Sequence, residues 1–169
     1  MPQNIEIKAK VADLEALKAK VELIADVPMQ ILQQEDIFFP IPKGRLKLRI
    51  LSPDNGKLIF YDRQDTAGPK LSNFTITPIQ DPQSLRETLS QALGILGILK
   101  KTRWLYMIGQ TRVHLDRVDD LGDFMELEVC LRENQTPADG QHVAKELMQK
   151  LDVTESNLID CAYIDLLTK

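Results

Sequence analysis

The sequence has few of the residues that many metal centres, thiol enzymes and membrane segments require. It contains two cysteines and two histidines, and Cys130 and Cys161 do not have the spacing of a zinc site. The longest apolar stretch, residues 92–99, falls well short of the roughly 18 residues of a membrane span. The N-terminus also lacks a basic segment followed by an apolar core. These absences predict a cytoplasmic protein with reduced thiols and no membrane partner.

Several common catalytic motifs are missing as well. The chain has no G-x-x-x-x-G-K-[ST] loop, no G-x-G-x-x-G turn and no G-x-S-x-G elbow. Aromatic residues make up only 5% of the chain and are scattered, so they do not form a stacking platform for single-stranded nucleic acid. The net charge of −4 argues against nucleic-acid binding by the surface as a whole. We therefore expect no nucleic-acid partner.

The apolar patterns that are present predict one α+β domain over residues 1–169. Helices are predicted to begin near Leu14, Pro82 and Pro137, and a last helix is predicted over residues 154–167. Asn55-Gly56 between two alternating runs predicts a β-hairpin, and residues 64–72 a polar loop. The predicted strands are residues 4–10, 32–39, 45–51, 57–63, 73–78, 102–108, 111–118 and 124–131.

Charged residues recur at every second position of these strands. Because side chains alternate across a strand, each such set projects from one face. The set contains the bases Lys8, Lys10, Arg45, Lys47, Arg49, Arg63, Arg103 and Arg112 and the acids Glu6, Asp116, Glu126 and Glu128. Lys101 and His114 lie beside it, but the orientation of the first and the charge of the second stay open.

A charged face on one strand would ordinarily be exposed to water. Here six strands carry charged residues at alternate positions, and the residues between them are apolar enough to need a cover of helices. We therefore expect the charged faces to converge inside a barrel or deep groove. An excess of buried bases needs an anionic partner, and the carboxylates among them are ligands that Mg²⁺ or Mn²⁺ prefers. Together these groups indicate polyphosphate chemistry.

The motifs resemble, in their order, those of the CYTH superfamily, the triphosphate tunnel metalloenzymes. N-I-E-I-K resembles the family's E-x-E-x-K motif, and it is followed by G-R-L-K-L-R, F-Y-D-R, K-T-R-W-L-Y, T-R-V-H-L-D and L-G-D-F-M-E-L-E-V. The resemblance covers essentially the whole chain, and its layout is similar to the class IV adenylate cyclase-like branch. It implies a closed antiparallel eight-stranded β-barrel that forms a charged tunnel, with helices packed outside.

The resemblance also implies roles for the charged residues. The expected ligands of Mg²⁺ or Mn²⁺ are Glu6, Asp116, Glu126 and Glu128. The expected substrate-binding residues are Lys8, Lys10, Arg45, Lys47, Arg49, Arg63, Lys101, Arg103, Arg112 and His114. Among these, the expected catalytic residues are Lys8, Arg49, Arg63, Arg103 and Arg112.

The implied function is that of a metal-dependent enzyme acting on ATP, thiamine triphosphate or tripolyphosphate, by hydrolysis or by cyclisation of ATP to cyclic AMP. One residue departs from the motif, because Asn4 stands where the family has its first glutamate. An amide brings no charge to a cation, so a non-catalytic module that senses a polyphosphate or nucleotide stays open. The resemblance is also compatible with a homodimer.

Overall fold

Eight antiparallel strands close into a barrel in the computed structural model, which describes residues 2–63 and 68–167. The strands are β1 (Gln3–Lys10), β2 (Gln30–Phe39), β3 (Arg45–Ser52), β4 (Asn55–Arg63), β5 (Lys70–Ile79), β6 (Gly97–Ile108), β7 (Thr111–Val118) and β8 (Gly122–Cys130). Their order around the barrel is β1-β5-β4-β3-β2-β6-β7-β8, with β8 returning to β1. The predicted fold class, a closed eight-stranded antiparallel barrel, is confirmed.

In these described ranges four helices surround the barrel: α1 (Leu14–Ile24), α2 (Pro82–Leu93), α3 (Pro137–Lys150) and α4 (Tyr163–Leu167). Asp13 caps α1, since its side chain accepts a hydrogen bond from the backbone amide of Ala16. Within the described ranges, no helix has the length and apolar character needed to cross a membrane.

The outer face of the barrel is apolar and forms the core with the helices. Residues such as Ile7, Val113 and Leu127 are fully buried beneath α1 and α3. A second cluster packs β2 and β3 against α2, with Leu48 of β3 completely buried. Because the strand period is two, this buried outer face sends the charged positions into the barrel.

The predicted hairpin joins β3 and β4, but its turn lies two residues before Asn55-Gly56. Asn55 already pairs with Ser52, so the turn consists of Pro53 and Asp54, next to an irregularity in the β3 register. Gly56 serves a different purpose: an added Cβ would lie 2.9 Å from both the Arg49 carbonyl oxygen and Pro82. The glycine therefore permits the close approach of α2 to the hairpin.

The helix predicted over residues 154–167 is confirmed only in its last part, α4. The chain makes a short 3₁₀ turn at Glu155–Asn157 and becomes helical again only in α4. Between them Leu158 forms an antiparallel β-bridge with Ala9, and the amide of Ile159 donates a hydrogen bond to the carbonyl of Lys8. These contacts hold the segment extended beside β1. Two smaller corrections concern strand starts: β5 includes part of the predicted 64–72 loop, whose residues 64–67 lie outside the described ranges, and β6 begins at Gly97.

Candidate active site

A cavity of about 320 Å³ lies inside the barrel and is lined by alternate residues of all eight strands. Eleven of the predicted site residues line it: Glu6, Lys8, Lys47, Arg49, Arg63, Lys101, Arg103, Arg112, His114, Glu126 and Glu128. The three others lie elsewhere. Lys10 is exposed at the end of β1, Arg45 pairs with Asp165 of α4, and Asp116 is buried behind Arg103. The tunnel expected from the sequence is thus present.

Three carboxylates on β1 and β8, Glu6, Glu126 and Glu128, form what we call the acidic wall. Glu6 lies directly opposite Glu128 in the strand register, so their side chains project from the same face at short range. Arg63 donates to Glu6 at 2.7 Å, and the Lys8 ammonium lies 3.7 Å from Glu126. Burial and the nearby charge of Glu6 raise the pKa of Glu128 to about 7. Although burial opposes its ionisation, Lys8 and Arg103 hold the pKa of Glu126 well below its usual value, so the poorly compensated charge of the acidic wall lies at Glu128.

The basic wall, made by Asp36, Lys47, Arg49 and Lys101, lies on β2, β3 and β6, across the barrel from the acidic wall. Asp36 is fully buried and accepts two hydrogen bonds from Arg49, both at 2.8 Å, and one from Lys101 at 2.8 Å. Lys47 lies 3.6 Å from the same carboxylate. Although burial opposes its ionisation, these three cations hold the pKa of Asp36 well below its usual range.

Burial also affects the two lysines of the basic wall. It lowers the pKa of Lys101 to about 8, against the attraction of Asp36, and it lowers the pKa of Lys47 well below its usual value. Each of these ammonium groups would regain stabilisation beside an anion that entered the tunnel. The basic wall is therefore suited to bind phosphate oxygens.

Asp116 positions Arg103 in the tunnel. The Arg103 guanidinium donates two hydrogen bonds to Asp116, at 2.7 and 2.8 Å, and the Tyr163 hydroxyl donates a third at 2.9 Å. Both carboxylate oxygens are thus already hydrogen-bonded, while Arg103 lines the cavity with one nitrogen 4.0 Å from Glu126. The geometry favours Asp116 as the partner of Arg103 rather than as a metal ligand.

His114 is buried, with Nδ1 3.9 Å from Glu126. Burial and the charge of Arg103 lower the pKa of His114 well below its usual value, so the imidazole is neutral at pH 7. It lines the cavity as a neutral hydrogen-bonding group rather than as a cation.

The two mouths of the tunnel differ. The C-terminal segment, residues 158–167, covers the mouth where β1 and β4 end, which we call the covered mouth. There Lys8 and Lys70 donate to the backbone carbonyls of Cys161 and Asp160, at 3.4 and 3.2 Å. At the opposite mouth, inward-facing side chains reach solvent: Ile76 is 45% exposed and the Arg112 side chain 44% exposed.

The acidic wall fits a hard divalent cation by its donor chemistry. Within residues 2–63 and 68–167, no three acidic, histidine or cysteine side chains are arranged to ligate one ion. Magnesium sites, however, commonly use one or two carboxylates and complete the shell with substrate phosphates and water. Glu6 and Glu128, which are paired across β1 and β8, can supply these two carboxylates.

Sequence reasoning missed Asp36 and Tyr163, which line the tunnel, and Lys70, which contacts the segment over the covered mouth. The available signal for Asp36 was its alternation with Gln34 on strand 32–39, but the adjacent Glu35 made the charged face ambiguous. Lys70 fell in the predicted loop, and Tyr163 in the predicted helix, where no strand alternation indicates which way a side chain faces. Both point to the covered mouth through contacts that no local pattern encodes.

Known proteins resemble this chain along nearly its whole length. The CYTH domain family model matches residues 2–163. The adenylate cyclase CyaB of Aeromonas hydrophila is 23% identical over 95% of this chain and 86% of its own length. The MJ0240 protein of Methanocaldococcus jannaschii is 23% identical over 96% of this chain and 97% of its own. Among solved structures, the PH1012 protein of Pyrococcus horikoshii OT3 superposes with a TM-score of 0.85 at 26% identity, covering 96% of this chain and 98% of that one.

Proposed function

Since the chain belongs to the CYTH domain family, we propose that it is a divalent-metal-dependent enzyme that cleaves a triphosphate held in its tunnel. One observation carries the proposal: an acidic wall and a basic wall face each other across a single cavity of about 320 Å³. Neither wall is neutral by itself. A triphosphate with its bound cation supplies both missing charges at once.

The basic residues would bind the phosphates, and the acidic residues would bind the cation. Lys47, Arg49 and Lys101 bind phosphate oxygens, and Arg103, held in place by Asp116, stabilises negative charge that grows on the phosphoryl group during transfer. Glu6 and Glu128 would hold Mg²⁺ or Mn²⁺, with Glu126 beside them. When bound, such a cation neutralises phosphate charge and polarises the bond that breaks.

Two reactions use the same arrangement. In hydrolysis, water attacks the terminal phosphorus of ATP, thiamine triphosphate or tripolyphosphate. In cyclisation, the ribose 3′-oxygen of ATP attacks the α-phosphorus and pyrophosphate leaves. The CyaB relative bears the name of an adenylate cyclase, which supports testing cyclisation as well as hydrolysis.

The test is an incubation of the purified protein with ATP, thiamine triphosphate or tripolyphosphate and Mg²⁺ or Mn²⁺. Cyclic AMP, pyrophosphate and phosphate are measured, with a chelator as the matched control. We expect turnover of at least one triphosphate that stops when the cation is removed. Cyclic AMP with pyrophosphate identifies cyclisation, whereas phosphate release identifies hydrolysis.

A second candidate, a non-catalytic polyphosphate sensor, is favoured by one observation at the acidic wall. Asn4 is 3% exposed, lines the cavity and lies beside Ser72 and Cys130 in the strand register, so a charged motif position has become neutral. A sensor needs the basic wall but not a complete metal site. Tight tripolyphosphate binding without turnover of any of the three compounds would establish this reading and refute the enzyme.

A further inference from the structure

The His114 imidazole lies in the tunnel without a hydrogen bond at its buried nitrogen. It projects inward from β7, its side chain is 5% exposed, and it lines the cavity. Among the residues that the structure describes, none is a hydrogen-bond partner of its Nδ1 atom. Buried polar atoms of native proteins are nearly always paired, either with protein groups or with ordered water. The unpaired nitrogen therefore indicates a small molecule that binds beside it.

The two carboxylate oxygens of Glu126 have different neighbours. Oε1 lies 3.7 Å from the Lys8 ammonium and 4.0 Å from the Arg103 guanidinium. Oε2 lies 3.9 Å from His114 Nδ1, because Glu126 and His114 are directly opposite each other in the register of β7 and β8. Oε1 thus faces cations, whereas Oε2 faces a nitrogen that is too far away for a direct hydrogen bond.

The separation of Oε2 and Nδ1 matches the geometry of a bridging water molecule. An oxygen about 2.8 Å from each of two acceptors 3.9 Å apart has the two acceptors at an angle of roughly 90°. This angle suits a water molecule that donates both of its protons. A neutral imidazole accepts at Nδ1 when its own proton is on Nε2, and the Glu126 carboxylate accepts at Oε2. Both lone pairs of such a water molecule face away from these acceptors and into the tunnel.

The bridging position lies beside the groups that would bind the phosphates. Arg103 and Lys8 approach the same Glu126 carboxylate from the side opposite His114, at Oε1. A phosphoryl group held by these two cations would therefore lie close to the lone pairs of the bridging water molecule. This is the placement that attack on phosphorus requires.

Two acceptors directed at one oxygen distinguish water from a sugar hydroxyl. Water has two O–H groups and can donate to Nδ1 and Oε2 at the same time. The ribose 3′-hydroxyl has one proton, so it would leave one of these two acceptors without a donor. The pair formed by His114 and Glu126 therefore fits water as the nucleophile better than it fits the nucleophile of cyclisation.

We propose that His114, together with Glu126, holds the water molecule that attacks the triphosphate, and that the reaction in this tunnel is hydrolysis. This inference rests on the proposed function, because it names the nucleophile of the same site. The water oxygen forms a bond to the terminal phosphorus, the bond from that phosphorus to its bridging oxygen breaks, and the leaving group keeps the electron pair. One water proton stays on the phosphate product, and the other passes to His114 and is released with the products.

The experiment compares steady-state phosphate release by the wild type and three variants of His114, with ATP, thiamine triphosphate and tripolyphosphate as substrates. His114→Leu removes the acceptor, and its kcat should fall by about 100-fold while KM stays within about threefold. His114→Asn carries an amide oxygen near the position of Nδ1 and should retain kcat within about tenfold of the wild type. His114→Gln places its amide nearer the position of Nε2 and should lose as much as His114→Leu.

The matched control is His142→Leu, because the other histidine of the chain has a side chain 76% exposed on α3. It should keep the wild-type kcat. Tripolyphosphate affinity and melting temperature show whether each variant is folded. His114→Leu should melt no lower than the wild type, because leucine leaves no unpaired polar atom in the tunnel.

Three results would overturn the inference and leave the proposed function intact. These are a wild-type kcat in His114→Leu, equal kcat values in His114→Asn and His114→Gln, and conversion of ATP to cyclic AMP without phosphate release. Recovery of His114→Leu at high Mg²⁺ or Mn²⁺ concentration would also overturn it, because His114 would then bind the cation and not water. If the wild type turns over none of the three compounds, the proposed function fails and the inference fails with it.

Discussion

The two walls of the tunnel differ in how well their buried carboxylates are compensated by nearby cations. In the basic wall three cations contact one carboxylate, Asp36. In the acidic wall Glu126 lies near Lys8 and Arg103, whereas the partner of Glu128, Arg112 at 3.6 Å, is 44% exposed. The pKa of Asp36 is accordingly held low, whereas that of Glu128 is raised to about 7.

This difference shows what each wall lacks. The basic wall is held together by its own carboxylate and retains positive charge for an anion. The acidic wall retains negative charge and would be stabilised by a cation. A site whose walls need opposite partners favours a ligand that carries both, and a metal–triphosphate complex is such a ligand.

The largest effect is expected from Asp36→Asn, which removes the carboxylate that the basic wall shares. Three cations would then remain close together without it, and breaking a buried ion pair in this way costs about 3–5 kcal/mol of unfolding free energy. Tripolyphosphate should restore more stability to this variant than to the wild type, because it supplies the missing negative charge. Thermal melts with and without tripolyphosphate measure both effects.

The adjacent Glu35 provides the control for Asp36→Asn. It lies on the outer face, where it pairs with Arg86 at 3.0 Å and Lys100 at 3.6 Å, and is partly exposed. Glu35→Gln should change stability by less than about 1 kcal/mol, as is typical of surface pairs. Equal melting temperatures for the two variants would show that Asp36 does not hold the basic wall together.

A smaller but still large effect is expected in the acidic wall from Glu126→Gln and Glu128→Gln. Each replacement keeps the shape and removes a charge that helps hold the cation, so turnover should fall by about 100-fold or more. Raising the Mg²⁺ or Mn²⁺ concentration should recover part of the loss, whereas tripolyphosphate affinity without metal should not fall. Initial rates across a metal titration provide the measurement.

Glu133→Gln, an exposed position in the turn after β8, serves as the control for the acidic wall and should have wild-type rates. The assignment of the metal to this wall would be wrong if both tunnel variants kept full activity at low metal concentration. A loss of tripolyphosphate binding equal to the loss of turnover would also contradict it, because the charge removed repels phosphate.

The acidic wall was predictable from sequence to a much greater extent than the basic wall. On β1 and β8, strict alternation with fully buried residues such as Ile5 and Val129 identifies the inward positions of Glu6 and Glu128. On β2, Glu35 and Asp36 are consecutive, so a period of two cannot say which of them faces inward. The packing of Ile37 against α2 shows that Ile37 and Glu35 face outward and that Asp36 faces the tunnel.

The covered mouth was the least predictable part. Residues 154–167 have enough apolar character to suggest a helix, but their conformation is fixed by tertiary contacts. The Tyr163 hydroxyl donates to Asp116, and the Lys8 ammonium lies 4.0 Å from the centre of the Tyr163 ring. These contacts join positions more than 40 residues apart, and they override the local helix propensity of the segment.

The smallest effect concerns pH and involves one lysine near each wall. Burial lowers the pKa of Lys8, beside the acidic wall, and of Lys101, in the basic wall, to about 8. A bound triphosphate favours both charged forms, so triphosphate affinity should fall as pH rises above about 8, by up to about fivefold for each lysine between pH 8 and 9. Stability of the empty protein should change in the opposite direction. Between about pH 8 and 10.5 the unfolded chain binds more protons at these lysines, so their contribution to unfolding free energy rises with pH.

The Lys101→Arg variant separates the two walls, because arginine keeps its charge throughout this range. Calorimetric titration of tripolyphosphate between pH 7 and 9.5 should show a shallower loss of affinity for Lys101→Arg than for the wild type. Ionisation of the ligand itself is common to both proteins and cancels in the comparison. Identical slopes would mean that Lys101 does not titrate here, and that the pH dependence comes from the Lys8 side of the tunnel alone. A slope reduced to about half would show that both walls contribute a lysine to phosphate binding, since each loses one proton over this range.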